Sequence, residues 1–376
     1  MIKRLSLILI TILFSQGILK SQTSEQIDST VFTLGFSTYL SHTDKYASGF
    51  DIYADSEGYT YISGNTRDKN FPATEGAFQT ELKGSADAFV AKYTPEGEIV
   101  FATLIGGTER EHHSSITVDE HGFIYVAGGT ESSDFPVTEG VFDTSFNGAR
   151  SWGGDVFVTK LNPTGTEIIF STFIGGEVEE TVGAGGIKVD SKGNIILVGA
   201  TKSKDFPLTK GAIDNNDNMH GFLSKLSSDG KKLLFSTFFG SSQMEAITEV
   251  DIDDKDNIYL SGSTYTADLP VTDNAFRKEI IMPKSGGIVD HYIAKINGTD
   301  NKISYFSYFA TNGYAGAAIK WTKPNRLVLC GSTTGEGFPA TVNAISKKAK
   351  GRQDCFISVF NSETMTLEYA TLFGGS

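Results

Sequence analysis

A short aromatic segment recurs along this chain at nearly constant intervals. Typical copies read FATLIGG and FSTFIGG, and neighbouring copies start 63 to 71 residues apart. The six copies begin at Phe36, Phe101, Phe170, Phe235, Phe306 and Tyr369. A fixed period of this length indicates a repeat protein, in which each unit buries its apolar faces against its neighbours.

Each interval carries the same series of motifs, which the one after FATLIGG shows clearly. The segment Ile116–Asp119 alternates apolar and polar residues, as a half-buried strand does. In the turn Asp119–Gly122, the Asp can bond backbone amides and the Gly accepts positive φ. A second strand at Ile124–Gly129, a long excursion with FPVTEGVF at Phe135–Phe142 and a third strand at Asp155–Lys160 follow.

These motifs predict units of four short antiparallel strands. One such sheet cannot bury both faces alone, and radial packing of four-stranded sheets gives a β-propeller. A solenoid would need shorter rungs, and immunoglobulin-like sandwiches would need about 100 residues per unit. We therefore predict an all-β propeller of five full repeats, with an extra N-terminal outer strand at residues 31–40.

The order of these motifs resembles a known bacterial family. An aromatic strand ending in Gly-Gly, a VDxxGN turn, an FPxTxGAF loop and a DAFVAK strand are similar to the SBBP, or seven-bladed β-propeller, repeat. The resemblance covers residues 31–376. It implies an exported bacterial protein of the cell surface or the medium, and it carries over no catalytic residue.

The fifth unit departs most from this pattern. Thr322 replaces the turn Asp, Pro324 and Asn325 replace the usual turn pair, and Val359 replaces the Lys of the third strand. These changes indicate either an altered interface at that unit or simple drift.

The N-terminus has the form of a signal peptide. Lys3 and Arg4 precede the apolar run Leu5–Phe14, and small residues follow. A ten-residue run of this kind is too short to span a bilayer. We expect residues 1–22 to be the signal peptide, with cleavage between residues 15 and 22, and residues 23–376 to form the propeller.

The order of strands also bears on completeness. The chain reaches Gly374 and Gly375 where another inner strand is expected to begin. One hypothesis is a propeller that is incomplete at its C-terminus, and the alternative is a five-bladed ring with a spare strand.

The net charge limits the partners. A formal charge of −13 disfavours nucleic-acid phosphate, so we expect no nucleic-acid partner. A protein or polysaccharide ligand remains compatible with this surface.

Acidic residues recur in the turn between each outer strand and the next inner strand. In a propeller these turns meet near one end of the central channel, where ligands often bind. The candidate ligand-binding residues are Asp44, Glu111, Glu179, Glu180 and Glu245. The alternative is that these turns are acidic only because they are exposed.

Other polar clusters give weaker indications. His112 and His113 are adjacent, so on a strand they would diverge, and we interpret them as part of a solvated loop. The acidic runs 251–256 and 214–218 offer oxygen ligands for calcium, but neither has the Gly and Glu spacing of an EF-hand. We expect no metal site and no cofactor.

Two cysteines, Cys330 and Cys355, can form one disulfide or remain as small buried thiols. No GxSxG, HExxH or nucleotide-binding motif is present. The sequence thus favours a non-catalytic binding or scaffold module, secreted or at the cell surface. The alternative is a secreted glycan lyase or hydrolase with its site at the channel mouth.

Overall fold

The computed structural model describes residues 37–38, 46–148, 153–212, 220–239, 245–281, 290–311 and 317–375. These residues contain twenty β-strands and no helix. Accordingly, this part of the chain offers no helix suited to crossing a membrane. Most of the predicted strand at residues 31–40, together with Asp44 and residues 214–218, lies outside the described residues.

The strands fall into five consecutive groups of four. The first unit has β1 (Ala47–Ala54), β2 (Thr60–Thr66), β3 (Asp87–Tyr93) and β4 (Ile99–Ile105). The second has β5 (Glu111–Val118), β6 (Ile124–Thr130), β7 (Asp155–Leu161) and β8 (Ile168–Ile174). The third has β9 (Glu180–Val189), β10 (Ile195–Thr201), β11 (His220–Leu226) and β12 (Leu233–Phe239). The fourth has β13 (Glu245–Ile252), β14 (Ile258–Thr264), β15 (Asp290–Ile296) and β16 (Ile303–Thr311). The fifth has β17 (Ala318–Thr322), β18 (Arg326–Thr333), β19 (Asp354–Asn361) and β20 (Leu367–Phe373).

Within each unit the four strands pair in chain order, and every pair is antiparallel. The third and fourth units also touch through one parallel contact between Gly185 of β9 and Glu249 of β13. The prediction of an all-β propeller fold built from four-stranded antiparallel units is therefore confirmed.

The first strand of each unit packs against the sheet of the unit before it. Strand β5 contacts β1, β2 and β3, and β9 contacts β5, β6 and β7 in the same way. Strand β13 contacts β9, β10 and β11, and β17 contacts β13 and β14. Successive first strands thus follow one another along the inner edges of the sheets, and we call them the inner strands.

The Asp that opens the first hairpin of a unit organises the turn as predicted. Oδ1 of Asp190 accepts the amides of Lys192 and Asn194 at 3.0 and 2.8 Å, and Gly193 has a φ of +77°. The same two bonds form at Asp55, Asp119 and Asp253. The backbone of the turn therefore accounts for the recurring Asp and Gly, and the second Asp oxygen also binds side chains outside the turn, such as Lys225 at Asp190 and Tyr125 at Asp119.

A glycine in the second strand of each unit faces an aromatic ring in the third. Gly199 is the register partner of Phe222, whose ring would lie 2.9 Å from a Cβ at that glycine. Equivalent pairs are Gly64 with Phe89, Gly128 with Phe157, Gly262 with Tyr292 and Gly331 with Phe356. The ring thus fills the space of the missing side chain, which links two of the sequence motifs.

Replacing Gly199 by Ala is expected to destabilise the third unit. The new Cβ would overlap the Thr181 carbonyl oxygen on one side and press on the Phe222 ring on the other. Overpacking of this kind costs about 1–3 kcal/mol in free energy of unfolding, measurable by chemical denaturation. Gly375→Ala is the control, because nothing lies within 4 Å of its Cβ position. Equal stability of the two variants would contradict the close contact.

Candidate functional site

Two of the predicted ligand-binding acids lie inside the protein. Glu111 is the first residue of β5 and its side chain is fully buried. Its Oε1 accepts hydrogen bonds from Thr130 Oγ1 at 2.8 Å and Ser132 Oγ at 2.7 Å. This carboxyl is therefore part of the contact between strands β5 and β6 rather than of an exposed loop.

Glu180 repeats this arrangement one unit later. It opens β9, is fully buried and accepts a 2.7 Å bond from Thr201 Oγ1. Ser203 is its second hydroxyl partner. The two acids thus occupy equivalent positions, each held by a Thr-x-Ser motif at the end of the unit's second strand.

A second buried carboxyl lies beside each of these acids. A Cβ added to Gly106 would lie 2.5 Å from Glu111 Oε2 and 2.6 Å from Asp87 Cγ. Asp87 belongs to the first unit and Glu111 to the second. At Gly175, the equivalent Cβ would overlap Asp155 and lie 2.8 Å from Glu180 Oε2. The first glycine of the Gly-Gly motif therefore makes room for two carboxyls that meet at the junction of two units.

Burial changes the protonation of these pairs. Burial raises the pKa of Glu111 to about 8. The hydrogen bonds from Ser132 and Thr130 lower this pKa, and the nearby charge of Asp87 raises it. Burial likewise raises the pKa of Asp155 to about 7, with Glu180 adding to the rise. Glu111 Oε2 accepts no hydrogen bond of ordinary geometry. Because burial and a neighbouring like charge both disfavour the ionised form, the Glu111 carboxyl is largely protonated at neutral pH.

The other candidates are placed differently. Glu179 is half-buried and forms an ion pair with Lys202. Glu245 opens β13, at the position that Glu111 and Glu180 hold in their units. Asp44 is outside the described residues. The structure therefore brings none of the described candidates together in one open pocket.

The adjacent histidines lie in β5, not in a loop, so that part of the prediction is wrong. His112 is buried and its Nε2 lies 2.7 Å from Glu131 Oε1. His113 is exposed, with its ring 4.5 Å from that of Phe50. As expected for strand neighbours, the two side chains point to opposite faces.

Within the described residues, neither the acidic run 251–256 nor the cysteines form a metal site, and the run 214–218 lies outside them. Asp253 bonds its own turn, and Asp251 accepts the Trp321 amide at 2.6 Å. No three His, Cys, Asp or Glu side chains of the described residues converge to hold a metal ion. Cys330 and Cys355 are both free and exposed, so neither expected state of the thiols, buried or bridged, is found.

A charged cluster that sequence reasoning missed lies on the inner strands. It comes from four units and contains Asp51, Lys188, Glu249, Asp251 and Lys320. We call it the channel cluster.

The acids of the channel cluster tie inner strands together. Asp51 Oδ2 accepts Ser115 Oγ at 2.6 Å and the Ile116 amide at 2.9 Å, across the first and second units. Asp251 forms an ion pair with Lys320 at 3.2 Å, across the fourth and fifth. Asp51 and Asp251 of the channel cluster therefore also link neighbouring units.

Glu249 differs from these two acids. Its carboxyl lies over Gly185, where any Cβ would overlap it. Burial raises its pKa to about 8, Lys188 opposes this rise, and the charges of Asp51 and Asp251 add to it. Glu249 is therefore largely protonated at neutral pH and can donate a proton.

A comparison of equivalent positions could have found two acids of this cluster. Four residues before the hairpin turn, the five units carry Asp51, Ser115, Gly186, Glu249 and Ala318. Two acids among small residues at one inner-strand position are specific to their units. Period-two patterning alone hides them, because it treats every polar residue on a strand face alike.

Comparisons with known proteins agree with the repeat. Residues 100–136 match the β-propeller repeat SBBP. The regulatory protein FlaEY of Caulobacter vibrioides is 23% identical over 232 residues, which is 58% of this chain but 22% of that protein. The chain thus spans about a fifth of the length of this relative.

Solved structures show only a distant likeness. NanB sialidase of Streptococcus pneumoniae has a TM-score of 0.48 and 11% identity, over 91% of this chain and 63% of that one. Kuenenia stuttgartiensis hydrazine synthase has a TM-score of 0.44 and 9% identity, over 87% and 66%. The Neurospora crassa Pan2 WD40 domain has a TM-score of 0.41 and 8% identity, over 88% and 80%.

Proposed function

We propose that this β-propeller repeat chain is an exported, non-catalytic module that binds a protein or polysaccharide, or positions other domains, at the cell surface or outside the cell. The observation that carries this proposal is that acids of the repeat stabilise the junctions between units. Glu111 and Glu180 are buried and hydrogen-bonded where units meet, and Asp51 links two inner strands. Rigid junctions between units are what a scaffold or binding ring requires.

The basic segment and apolar run at the N-terminus support export. The acidic charge of −13 supports a protein or neutral glycan as the ligand in preference to nucleic acid.

The channel cluster favours one second candidate, a glycan-active enzyme. A protonated Glu249 with the Asp51 and Asp251 carboxyls nearby is the kind of paired-carboxyl arrangement that glycoside hydrolysis uses. Against it, Asp51 already accepts hydrogen bonds from the protein's own Ser115 and Ile116.

A panel of polysaccharides and a cell-surface pull-down separate the two. We expect binding without any release of reducing ends or unsaturated sugars by the purified chain. Turnover that Glu249→Gln lowers at least 100-fold would contradict the proposal, provided that Glu139→Gln leaves it unchanged. Glu139 is the matched control because it is exposed in a loop of the second unit.

A further inference from the structure

The junction between the fourth and fifth units is closed differently from the first two junctions. In the first unit the Phe78 amide donates to the Gly165 carbonyl of the next unit at 3.1 Å, and the second unit repeats this bond at 2.8 Å. The equivalent amide of the fourth unit, that of Phe276, donates instead to the Tyr305 hydroxyl of its own unit at 3.0 Å. The excursion loop of the fourth unit therefore does not use this amide to hold the fifth unit.

Two residue differences accompany this change. Tyr305 stands opposite the Lys of the third strand, at the register position that Phe101 holds in the first unit. Met365 stands in the turn where the second unit has Gly165, and both have positive φ, of +56° and +68°. Gly165 lies so close to the Phe101 ring that any Cβ would overlap it. The turn of the fifth unit is also one residue longer, since the Met365 amide bonds Asn361 at 2.8 Å. The fourth and fifth units therefore do not close on each other as the first and second do.

A cavity of about 270 Å³ lies in this junction. Its floor includes the buried or half-buried side chains of Lys295, Tyr305 and Met365, and its rim is made of exposed polar residues. The rim residues are Asn274, Asn297, Ser304, Glu363 and Thr364. Pockets for drug-sized ligands have volumes of about 300–1,000 Å³, so this cavity suits a single small ring. We call it the junction pocket.

Among the described residues, the polar groups of the junction pocket are only partly bonded to the protein itself. Lys295 Nζ donates to the Ser362 carbonyl at 2.7 Å and keeps two further N–H groups. Asn297 Oδ1 accepts the Thr299 amide at 2.8 Å, which leaves the NH₂ group of Asn297. Ser304 Oγ donates to the Lys295 carbonyl at 3.1 Å and can still accept. The pocket therefore offers donors and acceptors close together.

Charge and accessible surface narrow the class of ligand. Lys295 and Glu363 carry opposite charges, and Glu363 is itself paired with Lys255 at 3.3 Å, so neither an anion nor a cation is favoured. Tyr305 and Met365 are only 1% and 5% exposed, so they offer a ligand little apolar surface. A peptide side chain would find little to pack on there. An uncharged ligand with several hydroxyl groups, each of which donates and accepts, matches these features.

We propose that the junction pocket binds a neutral sugar residue of a glycan chain. This inference rests on the proposed binding role and deepens it, because it names the ligand class and a place other than the channel cluster. The sugar hydroxyls would bond Lys295 and Asn297 as donors and Ser304 as an acceptor. Because the rim is exposed, the rest of the glycan has room to extend into solvent.

Titration calorimetry of the full chain tests this proposal with neutral oligomers of glucose, mannose, galactose and N-acetylglucosamine at millimolar concentration. We expect at least one of these oligomers to bind. Ser304→Tyr should abolish that binding, because it places a ring in the pocket from an exposed strand position. Leu234→Tyr is the matched control: Leu234 is also the second residue of its outer strand, in the third unit, and is 47% exposed. It should leave binding unchanged.

Asn274→Ala tests the same contact should Ser304→Tyr fail to fold, because Asn274 lies exposed in a loop. Loss of its amide should weaken binding about fivefold. Three results would overturn the proposal: no binding of any neutral oligomer, binding that neither variant weakens, or preference for trigalacturonate or a trialanine peptide. The last would identify an acidic glycan or a peptide as the occupant. Binding that neither variant weakens leaves the proposed function standing, whereas turnover of a bound oligomer would contradict the proposed function alone.

Discussion

Glu111→Gln is expected to make the protein more stable than the wild type at pH 8.5 and to flatten its dependence on pH. The folded-state pKa of about 8 lies above the ordinary value of 4.5, so the folded protein holds the proton more tightly than the unfolded chain. Stability from this group is complete below about pH 4.5 and is lost as the pH rises through 8. Because Gln stays neutral, it keeps the hydrogen bonds of Thr130 and Ser132 without this loss.

The expected gain is about 2–4 kcal/mol at pH 8.5, with little difference at pH 5. Chemical denaturation at pH 5, 7 and 8.5 measures it, and Glu139→Gln is the control for loss of one acidic charge at an exposed site. A Glu111→Gln variant that keeps the wild-type slope with pH would show that Glu111 is ionised in the folded protein.

The second large effect is expected for Phe157→Ala. The Phe157 ring is fully buried, stacks on Phe135 at 4.4 Å between ring centres and covers Gly128. It also belongs to the core shared with Ala88 and Val90 of the preceding unit. Removing such a ring leaves a cavity between two units and costs about 3–5 kcal/mol.

Thermal and chemical unfolding would measure the loss. Val342→Ala is the control, because its side chain is 91% exposed, and it should cost about 0.5 kcal/mol or less. If the two variants lost equal stability, the interface between the first and second units would not be the core that the packing indicates.

The strand order could be predicted from the sequence because each unit repeats it. Period-two alternation, Asp-Gly turns and a fixed spacing are local signals, and the structure bears them out at Asp119, Asp190 and Asp253. Five copies of one pattern also average out the ambiguity that any single short strand carries.

The burial of the candidate acids was not predictable in the same way. Glu111 follows a Gly-Gly pair, which reads as an exposed turn, yet its carboxyl is covered by Asp87, Thr130 and Ser132 from elsewhere in the chain. The channel cluster likewise joins residues of four units. Such contacts depend on how sheets pack, and a single sequence carries no record of that packing.

The pairing of a strand glycine with an aromatic ring has a consequence for how loops can vary. A two-residue turn fixes the alignment of its strands, but the excursion between β10 and β11 is far too long to do so. A slip of one residue would set the Phe222 ring against Val198 or Ala200 instead of Gly199 and turn every side chain to the wrong face. The contact between the glycine and the ring therefore fixes the register of the two strands. The loop can then lengthen, shorten or change sequence without shifting the sheet.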